Sequence, residues 1–266
     1  MNLNFTKMVG CGNDFVVIEN FDKKFGYNPK LVQKICQQKF GIGADGLLAL
    51  ENSQIPKADF KMRYFNADGY EVDFCGNGAR SIFNFAFKNN ISNSNGFFEA
   101  SDGLHFAEII GESVKLKMKP VLQNEIFQIN LFEKLNGFSL NTGVPHFVSW
   151  HENLSEANFI KTLGSQIRFD ENFQPNGTNA NFVEILDGNK IFVRTFERGV
   201  EDETLSCGTG VVASAIASKI SGKTNRNSIQ VKTLGGNLAV EFSDDLQDIF
   251  LTGNADFVFE GKIDLI

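Results

Sequence analysis

A chain of 266 residues that is 42% hydrophobic and 21% charged has the composition of a globular protein with one large or two ordinary domains. Its net charge of −7, with Lys and Arg scattered singly or in short pairs such as Lys23-Lys24, argues against a nucleic-acid partner, which needs a concentrated positive surface. No apolar run reaches membrane-span length, and the start, MNLNFTKMVG, lacks the order of a secretory signal, so a soluble, cytoplasmic protein without a membrane partner is expected.

In chain order, β-branched and alternating stretches predict strands over residues 3–9 and 15–19. Asn28-Pro29, a capping side chain followed by a residue with a helical φ, predicts a helix over 28–39. A strand over 60–65 comes next, then a helix that follows Cys75-Gly76-Asn77-Gly78 and runs through 79–87. Strands over 104–110 and 114–118 share the turn Ile110-Gly111-Glu112-Ser113. Ser155 offers a helix start for residues 155–163. Strands over 182–186 and 191–196 flank Leu186-Asp187-Gly188-Asn189-Lys190. The last helix follows Cys207-Gly208-Thr209-Gly210 and runs through 211–218; it is small and apolar on nearly all sides, as a helix buried within a domain must be. Short strands with glycine turns imply antiparallel sheets that curl or close, rather than a βαβ array.

The Cys-Gly-x-Gly element occurs twice, 132 residues apart, each time between a strand-like segment and a helix. The chain therefore reads as two similar halves, each a sheet wrapped round one helix, with a boundary near Lys119-Pro120.

A helix start leaves backbone N–H groups without partners and carries partial positive charge. Glycines let an anion approach those amides, and a thiol there has its pKa drawn toward neutrality. One such site gives a nucleophile or a base. Two give an acid and a base on opposite sides of a substrate carbon. Removing an α-proton without an electron sink requires preorganised donors for the enolate-like carboxylate, and two helix starts supply them. A single copy reads more readily as a packed cysteine beside a glycine turn; a matched pair does not.

Cys36 lies at helical spacing among apolar neighbours and reads as core, and Cys11, in Gly10-Cys11-Gly12, reads as filler. With no CxxC and only His105, His146 and His151, the paired spacing of a zinc site is absent, and no metal is expected.

The chain resembles the diaminopimelate epimerases over almost its whole length. The blocks that carry the resemblance are Gly12-Asn13-Asp14-Phe15, Gly41-Ile42-Gly43-Ala44-Asp45-Gly46, Tyr64-Phe65-Asn66-Ala67-Asp68-Gly69, Cys75-Gly76-Asn77-Gly78-Ala79-Arg80, Pro145-His146, Phe196-Glu197-Arg198-Gly199 and Glu203-Thr204-Leu205-Ser206-Cys207-Gly208-Thr209-Gly210. The resemblance implies an isomerase that converts LL- to meso-diaminopimelate without a cofactor, toward lysine and peptidoglycan precursors. It implies an α/β (α+β) fold of two pseudo-symmetric domains, each a mostly antiparallel barrel-like sheet around a central helix. These would be residues 1–119 with about 255–266, and residues 120–254, in a homodimer. Cys75 and Cys207 match the acid/base thiols. Asn13, Asn66, Gly76, Asn77, Asn179, Glu197, Arg198, Gly208 and Thr209 match substrate-binding positions, and His146 and Glu197 match groups that tune the thiols. Two departures concern substrate contacts: Val144 stands where many members have asparagine, and Gly46 where some have glutamine.

A proline or hydroxyproline racemase is the alternative enzyme, but it needs a pocket for a ring, whereas Glu197-Arg198 and the many asparagines suit a longer, doubly charged substrate. A phenazine-biosynthesis-type isomerase lacks the cysteine pair. A non-enzymatic binding module predicts no exchange of a carbon-bound proton.

Overall fold

The computed structural model describes residues 2–72, 74–132 and 135–264. The chain forms two compact units, Met1–Leu116 with Gly253–Ile266, and Lys117–Thr252. Within the stretch 255–266, residues 265 and 266 lie outside the described ones.

The elements begin with β1 (Asn2–Gly10), β2 (Asn13–Glu19), α1 (Pro29–Cys36), β3 (Gly46–Glu51), β4 (Phe60–Asn66), β5 (Glu71–Val72), α2 (Gly76–Lys88), β6 (Asn95–Ala100), β7 (Gly103–Ile110) and β8 (Ser113–Met118). They continue with β9 (Phe127–Leu131), β10 (Leu135–Asn141), β11 (Pro145–Trp150), α3 (Ile160–Arg168), β12 (Asn179–Asp187), β13 (Lys190–Glu197), β14 (Asp202–Thr204) and α4 (Gly208–Ile220). The last four strands are β15 (Ser228–Thr233), β16 (Gly236–Phe242), β17 (Ile249–Asn254) and β18 (Asp256–Asp264).

In the first unit β1 is flanked by β18 and β2, both antiparallel. β2 then runs parallel to β3, β3 antiparallel to β4, and β4 antiparallel to β5 but parallel to β6, which pairs antiparallel with β7. The second unit repeats this order of directions. β10 is flanked antiparallel by β9 and β11, β11 is parallel to β12, and β12 is antiparallel to β13. β13 is antiparallel to β14 but parallel to β15, which pairs antiparallel with β16. Each parallel pair is bridged by a helix, α1 or α3 at the first and α2 or α4 at the second, because a tight turn joins only antiparallel neighbours.

α2 packs against β1, β2, β3, β4 and β7, and α4 against β10, β11, β12, β13, β15 and β16. Each central helix is thus ringed by strands of its own unit and has no solvent-facing stripe over most of its length. Residues 77–86 of α2 and 210–218 of α4 are buried, and α4 meets that demand with Val, Ala, Ser and Ile on all sides. α1 and α3 lie outside and bury one face each, α1 through Val32 and Ile35 with Val16, Ile18 and Leu47, α3 through Ile160 and Ile167 with Phe182 and Phe196. As predicted, the Asn28 side chain caps α1, accepting the Lys30 N–H at 2.9 Å, and β7 meets β8 across Gly111, with Ile110 opposite Ser113.

One predicted helix is displaced. Ser155 lies in a 3-10 turn, Leu154–Glu156, and α3 starts only at Ile160. A distant strand holds the turn in place: Arg194 Nη1 donates to the carbonyls of Leu154 and Ala157, both at 2.7 Å, and the Leu154 carbonyl also accepts the Ala157 N–H at 3.2 Å within the turn. Glu184 meanwhile accepts the Leu154 N–H at 3.0 Å.

Candidate active site

Cys75 is the N-cap of α2, in extended backbone (φ −136, ψ 119), and its sulfur accepts the Gly78 N–H at 3.5 Å. An extended N-cap directs its side chain over the first turn, where the amides lack helical partners. Beside it, polar contacts fix two asparagines. Asn77 Nδ2 donates to Asn13 Oδ1 at 2.7 Å, and Asn13 Nδ2 donates to Asp45 Oδ2 at 2.9 Å. The Asp45 N–H donates to Asp14 Oδ1 at 2.8 Å, and Lys7 pairs with Asp14 at 2.7 Å. Arg80 Nη2 donates to Asn77 Oδ1 at 2.6 Å, and its Nη1 to the Gly76 carbonyl at 3.3 Å. The β1–β2 turn, with Cys11 at φ 50 and Gly12 at φ 91, brings Asn13 against α2. Cys11 itself is buried, as a filler would be. Asn66 ends β4 opposite Gly46, and its carbonyl accepts the Gly69 N–H at 2.8 Å, turning the chain toward β5.

In the second unit Cys207 is the N-cap of α4 (φ −112, ψ 111); its buried sulfur lies 3.4 Å from Thr209 Oγ1. Thr142 Oγ1 donates to the Thr209 carbonyl at 2.9 Å. Gly210, in the same turn, lies so close to Asn181 that any Cβ there would collide with Asn181 Oδ1. Asn181 Nδ2 donates to His146 Nδ1 at 3.1 Å and to the Phe147 carbonyl at 3.0 Å, while its Oδ1 accepts from Thr195 at 3.0 Å. Since an amide nitrogen only donates, His146 Nδ1 is the acceptor, which assigns the proton to Nε2. His146 is fully buried, and that burial, aided by the Arg198 charge, pushes its pKa down to about 3. The ring is neutral. Its Nε2–H has no hydrogen-bond partner among the described residues.

Asn179 stands opposite His146 in the parallel β11–β12 register. Its Oδ1 accepts the Arg198 N–H at 2.8 Å and its Nδ2 donates to the Pro145 carbonyl at 2.9 Å, while Arg198 Nη1 donates to the Asn176 carbonyl at 3.1 Å. Burial raises the pKa of the Glu197 carboxyl, opposed by the hydrogen bond that Thr204 Oγ1 donates at 2.9 Å.

Each unit therefore gathers its own share of the residues singled out in the sequence. Asn13, Cys75, Gly76 and Asn77 collect at the start of α2. Cys207, Gly208 and Thr209 form the start of α4, and His146, Asn179 and Arg198 are linked across β11, β12 and the end of β13. Sequence reasoning passed over Asp14, Asp45, Arg80, Thr142 and Asn181. Asp14, Asp45 and Arg80 lie inside the motif blocks; Thr142 and Asn181 carry no signal along the chain.

The sequence model of diaminopimelate epimerase matches residues 5–121 and 138–258. A diaminopimelate epimerase of Flavobacterium psychrophilum is 45% identical over 265 residues, covering 97% of this chain and 98% of that protein. Another, of Aquifex aeolicus, is 42% identical over 273 residues, covering 98% of each. The chain belongs to the diaminopimelate epimerase family. Solved structures of lower identity share the fold of this family. A phenazine biosynthesis protein of the PhzF family from Bacillus anthracis aligns with a TM-score of 0.75 at 16% identity, over 100% of both chains. A hydroxyproline epimerase from Agrobacterium vitis aligns with a TM-score of 0.70 at 14% identity, over 98% of this chain and 91% of that one. The repeated strand order and the two Cys-capped central helices are thus the frame on which this diaminopimelate epimerase family member carries its motif blocks.

Proposed function

We propose that the chain converts LL- to meso-diaminopimelate, with Cys75 and Cys207 as the acid/base pair acting on opposite faces of one α-carbon. The observation that carries this reading is that two units with the same strand order each present a cysteine as the cap of a buried helix. One thiolate takes the α-proton, and the electron pair left on carbon spreads into the adjacent carboxylate. The first-turn amides at Gly76-Asn77 and Gly208-Thr209 stabilise that charge, and the other thiol returns a proton to the opposite face. In this reading Arg198 forks the distal carboxylate, and Glu197 with Asn13, Asn66 and Asn179 receives the ammonium groups. The neutral His146, held with its proton on Nε2, and the half-buried Glu197 tune the thiols. The reading needs neither pyridoxal nor metal. It places the protein in the cytoplasm, in lysine and peptidoglycan precursor synthesis, as a homodimer for which the exposed Phe257, Val258 and Phe259 of β18 offer an apolar face.

The test is incubation with LL-diaminopimelate in deuterated water, with chelator and without pyridoxal. The expected product is meso-diaminopimelate carrying one solvent deuteron at the inverted carbon. Cys75→Ala and Cys207→Ala should each lower turnover by about 10²–10⁴-fold. Full activity in either variant, or activity only with added pyridoxal, defeats the proposal.

A further inference from the structure

Arg80 is the largest fully buried side chain among the described residues. A buried charge is costly unless an opposite charge or a full set of hydrogen bonds answers it. Among the described residues the guanidinium meets the Gly76 carbonyl and the Asn77 amide oxygen, and its buried Nε–H has no partner there. Among the described residues no carboxylate lies within ion-pair distance of it. The charged groups on the strands packed against α2 are differently placed. Lys7 is held by Asp14, Lys61 by Glu99, Arg63 by Glu71 and His105 by Asp102. Asp45 accepts from Asn13, and Glu51 accepts from Asn20 at 2.9 Å; Glu19, Tyr64 and Glu108 complete the set.

The position makes the lack of a carboxylate among the described residues more telling. Arg80 reaches back along its own helix to the first turn, where the helix dipole is already positive. A cation and a helix start of the same sign repel each other unless an anion lies against both. The residue immediately before Gly76 is Cys75, whose sulfur already takes a first-turn amide.

We propose that Arg80 is a positioning residue for Cys75: its guanidinium locks the Asn77 amide and supplies a standing positive charge that holds the sulfur in its ionised form. This rests on the acid/base role given to Cys75. The chain of contacts from Arg80 through Asn77 to Asn13 and Asp45 also fixes the asparagine amides, so that one residue sets both the charge and the hydrogen-bond polarity of the α2 start. Ionised Cys75 is in turn the counter-ion that makes the buried guanidinium tolerable.

The experiment follows the pH dependence of alkylation of Cys75 by iodoacetamide, resolved from Cys11 and Cys36 by peptide mass spectrometry, in the full chain carrying Cys207→Ala so that Cys75 titrates without that partner. Arg80→Gln, which keeps a donor for Asn77 but removes the charge, should move the Cys75 midpoint upward by about one pH unit, with a correspondingly slower reaction, ~10-fold, near neutrality. Arg80→Lys, which keeps the charge, should leave the midpoint within about half a pH unit of the parent. A folded Arg80→Gln protein, judged by its melting curve, with an unmoved midpoint overturns the proposal. If Arg80→Gln does not fold, Arg80→Lys decides: a midpoint equal to that of a cysteine in the urea-unfolded chain overturns it, and one near the parent upholds it. With Cys207 in place, Arg80→Gln should lower kcat for diaminopimelate more than it raises KM; a pure KM effect with an unmoved midpoint would assign Arg80 to substrate anchoring and overturn the proposal. A chain that does not turn over diaminopimelate, yet shows the Arg80-dependent midpoint, sinks the proposed substrate and leaves the charge relation standing.

Discussion

His146→Gln isolates the consequence of burying a neutral imidazole on β11. Burial and the nearby Arg198 hold His146 down to about 3, whereas in an unfolded chain it titrates near ~6.5. Between these values the unfolded chain binds a proton that the folded unit refuses, so stability rises with pH by up to about 1.4 kcal/mol per pH unit. The contribution is fully present above the unfolded value and is lost as pH falls toward the folded one. From about pH 6.5 to about pH 4 the parent should lose about 3 kcal/mol through this residue alone, and His146→Gln should not. At neutral pH the variant should be the less stable, because Asn181 loses its acceptor; the gap should narrow or reverse in acid. The assay is urea unfolding at several pH values, read by fluorescence of Trp150, the single tryptophan of the chain and a residue of the same strand. His151, whose pKa burial lowers, and Glu197, whose pKa burial raises, are present in both proteins and cancel in the difference. Parallel stability curves for the two proteins would refute the assignment of a proton-refusing His146.

Gly210→Ala should cost about 1–3 kcal/mol, because the new Cβ strikes an Asn181 carbonyl that Thr195 and the amide contacts to His146 and Phe147 hold in place. An unchanged melting temperature would show that Asn181 swings aside. Burial pushes the Cys36 thiol up to about 12, so iodoacetamide at neutral pH should leave Cys36 unmodified until urea unfolds the chain; ready labelling of the folded protein would contradict its place in the core.

What the sequence disclosed follows from how local each cause is. β1 and β8 alternate buried and more exposed side chains over much of their length, so period-two reading finds them. β3, Gly46–Glu51, is buried at all six positions and shows no alternation, and periodicity alone does not separate such a run from a buried helix. Asn28 caps its helix with a neighbour two residues on, a contact legible in the sequence. Ser155 also offered a capping side chain, but the chain there makes a 3-10 turn whose carbonyls Arg194, from a distant strand, helps to hold, and the helix starts at Ile160. The two cysteine caps announce themselves by repetition. The roles of Arg80 and Asn181 do not, since the lack of a carboxylate partner among the described residues and a fixed tautomer are properties of neighbours brought together only by folding.

The pairing of β18 with β1, from Asn2 opposite Asp264 to Val9 opposite Asp256, has a consequence for biosynthesis. The second unit is continuous in sequence and can complete its sheet while translation proceeds. The first unit waits for β18 to leave the ribosome, so β1 keeps one edge open while the whole of the intervening second unit is made. During that interval its exposed backbone is a template for any other extended chain, and a nascent-chain chaperone would find its clearest task there.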